Sequence, residues 1–437
     1  MPESAGWYKI SVYGVPAVAS AAPVFFVQFY FLSFATDVLL LAPATVGLIL
    51  ASGRIWDAVT DPLAGYGSDR TRSRWGRRRP WLLAAAPASA IAFVALWNPP
   101  AGLSSSLAVA AWSAAWLFAL TAAITAWAIP HQAMGAELSN DVQTRHRIFG
   151  LRFVTAVAGA GLSFGGMQLV GNAEDPRTTA GSLALLTGAG MTALLLVPAL
   201  LLRERPAHGA SAPSSALNAA RSVFANRDAR RLLVIWFFSQ LGMASQGVIA
   251  PYMAIYVFGR PDLIGVLPAL FIVPLVLSVP VWIGLARRLG ALRAWRLSMV
   301  AGALAYSTLF LLPTDDFTWI AILLAAAGFS SGAAGPLGPT FFATLADADT
   351  RRTGEQRQGV YFAAKEFVEK ASGATVALVV GVALQVSGFE PNAPQNPATL
   401  LTIRGCLSIF PGAAFLIGAL LLGRFVETPQ RSPRSFG

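Results

Sequence analysis

Apolar runs of about 20 residues, each long enough to cross a hydrocarbon layer of about 30 Å as a helix, recur along the chain from Val12 to the last turn before Arg424. Short polar breaks separate them. Twelve helical spans are predicted, over residues 12–41, 44–67, 80–98, 107–136, 149–171, 182–202, 231–258, 262–286, 294–313, 316–346, 358–388 and 399–423.

The longest interruption of this pattern, residues 203–230, opens with Arg203, Glu204, Arg205 and Pro206 and continues in Ala, Ser and Pro. It reads as a linker between a six-helix bundle at 1–202 and a second at 231–437 that ends in a short tail. A faint internal repeat agrees with duplication: Pro130, Glu137 and Arg147 match Pro339, Asp347 and Arg357 at an offset of 209 to 210 residues. The expected fold is an all-α membrane protein whose two parallel six-helix repeats face each other around a site at mid-depth. Small runs such as Gly159-Ala160-Gly161 and Gly332-Ala333-Ala334-Gly335-Pro336 allow the helices to approach closely and bend.

Composition supports the membrane reading, since 55% of the 437 residues are apolar and 12% are charged, about half the charged share of a soluble domain. The net charge of +11 does not point to nucleic acid, because the basic residues are spread over loops between apolar spans. Those loops alternate. Arg70, Arg72, Arg74, Arg77, Arg78 and Arg79 follow the second span, and Arg287, Arg288, Arg293 and Arg296 follow the eighth. The loops on the opposite side hold little beyond Arg177 and Arg260. The retention of Lys and Arg on the cytoplasmic side then puts both termini in the cytoplasm. The start, Met1 to Lys9, lacks a signal-peptide pattern, and with no long glycosylated loops or targeting signals the expected location is a bacterial inner membrane. Cys406 is the only cysteine, and His131, His146 and His208 form no metal-ligand spacing. No serine elbow, phosphate-cradling loop or zinc motif is present. A cofactor-free transporter is expected, working as a monomer on a small organic substrate.

The chemistry lies in ionisable groups at apolar depth, each costing several kcal/mol unless it has a partner or faces water. The second span carries Arg54, Asp57, Thr60 and Asp61, followed by Pro62. Positions four apart lie on one helix face about 40° from each other. The two carboxylates and the Thr60 hydroxyl can therefore hold a small hard cation such as Na⁺, while two neighbouring acids can equally share a proton. The bland alternative is that they only pair with Arg54 and lock helices together. Arg152 opens the fifth span, and the eleventh holds Lys365, Glu366, Glu369 and Lys370, with Lys370 deepest. Lys370 can neutralise the acidic pair when the site is empty or bind an anionic substrate group, and Arg152 can bind such a group or snorkel to the interface. Asp37 and Arg404 read as interfacial groups. Asp69 and Arg70, in the hairpin that runs through Gly76-Arg77-Arg78-Arg79, suit a charge-paired latch.

These residues resemble the glycoside-pentoside-hexuronide cation symporters, a branch of the major facilitator superfamily that includes melibiose permease and the sodium-dependent lysophosphatidylcholine symporters. The resemblance spans nearly the whole chain. It rests on Gly53-Arg54-x-Trp56-Asp57-Ala58-x-Thr60-Asp61-Pro62-x-x-Gly65, on Asp69-Arg70-Thr71 and Arg74-Trp75-Gly76-Arg77, on Ile129-Pro130 leading to Arg152, and on Leu345-Ala346-Asp347 through Gly359 to Lys370. It implies the major facilitator fold, a cation site at Asp57, Thr60, Asp61 and Thr125 approached by Lys370, and Arg152 near the substrate. The sugar half departs from melibiose permease: Ala21 and Ala128 stand where that family member has sugar-binding aspartates, and Gln132 stands in place of its stacking tryptophan. Gln132, Gln240 and Gln246 offer a different polar set, and Gln28 lies in an aromatic run, Phe25 to Tyr30, similar to the lysolipid carriers. The candidate substrate-binding set is thus Gln28, Gln132, Arg152 and Lys370, with Arg54, Asp69, Arg70 and Lys370 as coupling or gating residues.

The expected function is symport of a glycoside or related compound driven by Na⁺ or H⁺, with Na⁺ preferred. A lysophospholipid or other anionic amphiphile is the alternative substrate. A facilitator without ion coupling and a non-transporting membrane sensor are the competing functions.

Overall fold

The computed structural model describes residues 6–138, 142–202, 204, 223–313, 317–353 and 358–424, and within them every regular element is a helix. The first group comprises α1 (Trp7–Gly14), α2 (Ala17–Asp37), α3 (Pro43–Arg70), α4 (Arg79–Trp97), α5 (Ser106–Glu137), α6 (Val142–Gly171) and α7 (Pro176–Leu201). The second comprises α8 (Arg227–Tyr252), α9 (Val266–Leu289), α10 (Ala291–Leu311), α11 (Phe317–Ser331), α12 (Ala334–Thr353), α13 (Gln358–Val386), α14 (Pro397–Leu407) and α15 (Ile409–Gly423). A π-helical turn, Met253–Val257, extends α8.

Among the described residues, eleven helical segments are long and apolar enough to cross a membrane. Three of them are bent: α1 runs into α2 across Val15–Pro16, α11 into α12 at Gly332–Ala333, and α14 into α15 at Ser408. At the break between α11 and α12, Gly332 lets both helices lie close against α9, since a Cβ there would come within 2.0 Å of the Ser278 hydroxyl. The remaining long helix is α3, with 28 residues. Its ionisable side chains lower its apolarity, although it packs between α5 and α13 as closely as the others pack. The predicted boundaries shift by a few residues. The first helical segment starts at Trp7 and stops at Asp37 instead of running 12–41, with Leu40 at φ 56°, and α6 starts at Val142 instead of 149. α8 starts at Arg227, not 231, because the Asn226 side chain accepts the N–H groups of Asp228 and Ala229 and so caps it. Residues 203 and 205–222 of the expected linker and 425–437 of the tail lie outside the described residues.

Within the first group α2 packs on α6 and α4 on both α5 and α7; within the second α10 packs on α15, α9 on α11 and α8 on α13 and α15. The main contacts that join the groups are α3 with α13, α2 with α8, and α6 with α9 and with the short turn Pro261–Leu263 before it. The first of these is a backbone contact. A Cβ on Gly47 would stand 2.6 Å from the Ala377 carbonyl oxygen, and one on Gly381 would stand 2.5 Å from that of Pro43. Glycine at both positions lets the helix axes approach with no side-chain layer between them.

The joining contacts gather at the end of the molecule where α2 stops and α3 begins. Asp37 sits there. The Tyr256 hydroxyl donates to its Oδ1 at 2.8 Å, Ser33 donates to its Oδ2 at 3.1 Å, and Asn392 Nδ2 donates to its main-chain oxygen at 2.7 Å. The Asn392 N–H donates to the Tyr256 hydroxyl at 3.1 Å, Thr36 and Tyr252 share a hydrogen bond of 2.8 Å, and Ala44 N–H donates to Gln385 Oε1 at 3.1 Å. Gly265 N–H donates to Gln168 at 3.1 Å. At the Arg70 end, the Asp69–Arg78 pair and the Glu204 bonds to the N–H groups of residues 77–79 lie within the first part of the chain. Asp37, expected to be an interfacial group outside the site, is therefore the centre of a partly exposed hydrogen-bonded seam. Nearby, Asp175 caps α7 by accepting from Arg177 and Thr178 N–H, and the Thr178 hydroxyl holds its carboxyl below the usual range.

Two outcomes follow from the seam. Gly381→Val is expected to force α3 and α13 apart and to raise severalfold the maleimide labelling of a cysteine placed at Ala393 in a Cys406→Ser background; unchanged labelling means that the helices slide to absorb the side chain. Tyr256→Phe keeps the ring but removes its hydroxyl, which should weaken the closed seam by about 1 kcal/mol and raise the same labelling more modestly.

Candidate functional site

α3 places Asp57 and Asp61 one turn apart near its middle, and both turn towards α13 and α5. Lys370, from α13, donates to Asp57 Oδ2 at 2.9 Å and to Asp61 Oδ2. Thr125, from α5, lies 2.8 Å from Asp57 Oδ1 and 3.0 Å from Asp61 Oδ1. One ammonium and one hydroxyl thus bridge the same two carboxylates on opposite edges. The side chains of Lys370, Asp57 and Asp61 are 16%, 18% and 29% exposed, so the cluster is neither sealed nor open to bulk water.

The arrangement has a specific proton count. A threonine hydroxyl carries one hydrogen and donates to one carboxylate at a time. The carboxylate it does not donate to at a given moment is still paired, because the Lys370 ammonium reaches the other oxygen of both acids. Oxygen ligands from two carboxylates and a hydroxyl suit a hard monovalent ion, which would occupy the place the ammonium now fills.

Around this centre the expected residues separate into those it gathers and those it does not. Arg54 donates to Gln28 Oε1 at 3.2 Å, and its Nε lies 3.7 Å from where a Cβ on Gly373 would be. The missing side chain at Gly373 makes room for the guanidinium against α13. Gln28, Arg54, Asp57 and Thr121 edge a cavity of about 70 Å³ whose other walls are apolar, a volume that admits a few water molecules. Thr60 is buried, but its hydroxyl donates to the Asp57 carbonyl oxygen at 3.1 Å, within its own helix turn. Arg152 is half-buried on α6 within electrostatic reach of Tyr13 and His131, and its guanidinium has no hydrogen bond or ion pair among the described residues. Gln132 is exposed towards the end of α5, away from the acidic pair.

At the Arg70 end, Asp69 pairs with Arg78 at 3.5 Å, and Arg70 stacks over the Tyr66 ring at 3.9 Å. The stronger contact there was not visible in the sequence. The Glu204 carboxylate accepts the N–H groups of Arg77, Arg78 and Arg79 at 2.8, 2.8 and 2.7 Å, at the first turn of α4. Gly76, at φ +103°, opens the space, since a Cβ there would lie 2.6 Å from the carboxylate. Nothing local in either segment signals this pairing across more than a hundred residues. Likewise Tyr256 and Asn392 carry no motif; only the solitary acid at the end of the first span, Asp37, offered a clue.

Comparison with known proteins identifies the family. The chain is 24% identical over 424 residues to the inner membrane symporter YicJ of Escherichia coli strain K12, covering 94% of this chain and 90% of that protein. It is 23% identical over 447 residues to sodium-dependent lysophosphatidylcholine symporter 1 of Xenopus tropicalis, covering 92% and 83%. Among solved structures, a D-xylose–proton symporter superposes with a TM-score of 0.69 at 15% identity, covering 97% of this chain and 98% of that one, which bears out the major facilitator fold. The family model for MFS/sugar transport proteins matches residues 12–426. The chain belongs to that family, and is an integral multi-pass membrane transporter of the symporter type.

Proposed function

We propose that this protein couples the inward movement of a monovalent cation, Na⁺ in preference to H⁺, to transport of a glycoside or related small organic compound by alternating access. The observation that carries the reading is Lys370 bridging Asp57 and Asp61, a positive charge from one helix group seated between two acids of the other. A cation that takes its place releases α13 from α3. Binding at the acidic pair then changes how the groups hold one another, which is the link that symport requires.

The closed seam at Asp37 supports a state open towards the Arg70 end, since alternating access opens one end at a time. With the arginine-rich loops in the cytoplasm, that state is the inward-facing one, and both termini lie inside. The two groups, 1–202 and 231–437 in outline, are the bodies that rock, and the segment 203–230 connects them.

A second substrate reading draws on a different feature. An apolar groove of about 710 Å³ runs between α2, α4, α6 and α7, lined by residues such as Ala22, Phe26, Gly161, Gly165 and Met191. Arg152 lies on α6 nine residues before Gly161, about 13.5 Å along the axis at 1.5 Å per residue and on the opposite side of the helix, so a headgroup there meets the groove around α6. An anionic headgroup at Arg152 with an acyl chain in the groove describes a lysophospholipid, and the family includes a relative named for that substrate.

Thermal stability of the purified protein decides among these readings, because a ligand that binds only the folded state raises it. Glycosides, organic anions and lysophospholipids are each tested with Na⁺, Li⁺ or K⁺ at several pH values. A substrate-dependent shift that grows with Na⁺ and disappears in Asp61→Asn is the expected result and identifies the substrate class. Shifts that ignore every cation in both wild type and variant leave a facilitator or a sensor. Arg152→Gln separates the substrate readings: it should abolish binding of an anionic amphiphile, a loss of about 3 kcal/mol for an unpaired charge–charge contact, and leave a neutral glycoside nearly unaffected.

A further inference from the structure

α13 carries four ionisable side chains in a short stretch, Lys365, Glu366, Glu369 and Lys370. Both ammonium groups bridge two carboxylates. Lys370 holds Asp57 and Asp61 as described. Lys365, whose side chain is 8% exposed, donates to Glu366 Oε1 at 2.7 Å and to Glu369 Oε2 at 3.1 Å, and lies 4.9 Å from the centre of the Trp236 ring. A buried ammonium needs one carboxylate to be paired. Lys365 has one to spare.

Glu366 is the spare one by position. It stands four residues before Lys370, so the two share a helix face with their Cβ atoms roughly 5–6 Å apart, in the order, Glu before Lys, that favours pairing. At 56% exposed it is the most accessible acid of this network, and it lies one turn nearer the Arg70 end than Lys370. In this structure the described contacts include no ion pair between Glu366 and Lys370.

An ammonium expelled from Asp57 and Asp61 and left alone at that depth costs several kcal/mol, enough to make cation entry prohibitive. We infer that Glu366 is the second seat of Lys370, the carboxylate to which the ammonium turns when the coupling cation occupies the acidic pair. Lys365 keeps Glu369 throughout, so the exchange strands no group. Arg54, within electrostatic reach of Asp57 and Glu369, completes the tally: three cationic side chains face four carboxylates before the exchange, and the entering ion makes the numbers equal. Glu366 is thus a positioning residue for coupling, acting through Lys370 without touching the ion. The inference rests on the cation exchange proposed above.

The test is a double-mutant cycle read as the cation concentration that half-saturates the thermal shift or the intrinsic tryptophan fluorescence change of the purified protein, with Na⁺ and Li⁺ as probes. Glu366→Gln is expected to raise that concentration about tenfold, because the displaced ammonium loses its seat, and Glu366→Asp to restore most of it. In a Lys370→Gln background the same substitution should have little effect. A shift of equal size in that background shows Glu366 acting only through its field, and no shift in the wild-type background shows it uninvolved; either overturns the inference while leaving symport intact. A wild-type protein indifferent to every cation overturns both.

Discussion

Charge pairing at membrane depth is the constraint on which the rest depends. In the low-dielectric interior an ammonium or carboxylate has to be paired, and breaking a buried pair costs about 3–5 kcal/mol. Lys370 between Asp57 and Asp61 satisfies three such groups at once, and it does so across the contact of two helix groups. That makes the pairing a mechanical joint as well as an electrostatic one. The same ammonium that balances the two acids also ties α13 to α3.

The seam at Asp37 works on different terms. Its bonds are hydrogen bonds and backbone contacts: the Tyr256 hydroxyl, the Asn392 amide and the glycine-to-carbonyl approaches at Gly47 and Gly381. Each of the hydrogen bonds contributes about 1 kcal/mol. A closure built from several weak contacts opens when a modest difference in binding energy is applied elsewhere, whereas one deep ion pair sets a threshold. The molecule combines the two, with the threshold at mid-depth and the weak closure at one end.

Much of this was legible in the sequence because membrane spans are defined by apolar length, a property local to each segment. The acidic pair and Lys370 stood out for the same reason, as charges inside apolar runs. Thr125 emerged only through the family resemblance, since a lone threonine in a span carries no signal, yet its hydroxyl reaches both acids. Thr60, though correctly placed in its helix, turns its hydroxyl to the Asp57 carbonyl, a local bond that spacing on a helix wheel cannot foresee. Asp37, Tyr256, Asn392 and the Glu204 cradle were illegible because their meaning comes from partners far away in the chain. Helix starts shifted where a cap such as Asn226 acts before the apolar run begins.

The approach of α3 and α13 at Gly47 and Gly381 has a consequence for how such a carrier can diversify. The surfaces that meet there are peptide groups, which are the same in every protein, and they lie apart from Arg152, Gln28 and the apolar groove. Substitutions in the side chains that surround this contact leave that main-chain fit unchanged. The α3–α13 approach is fixed by atoms that no substitution other than at Gly47 or Gly381 alters, so side chains elsewhere can vary without the two helices losing their closest point of contact.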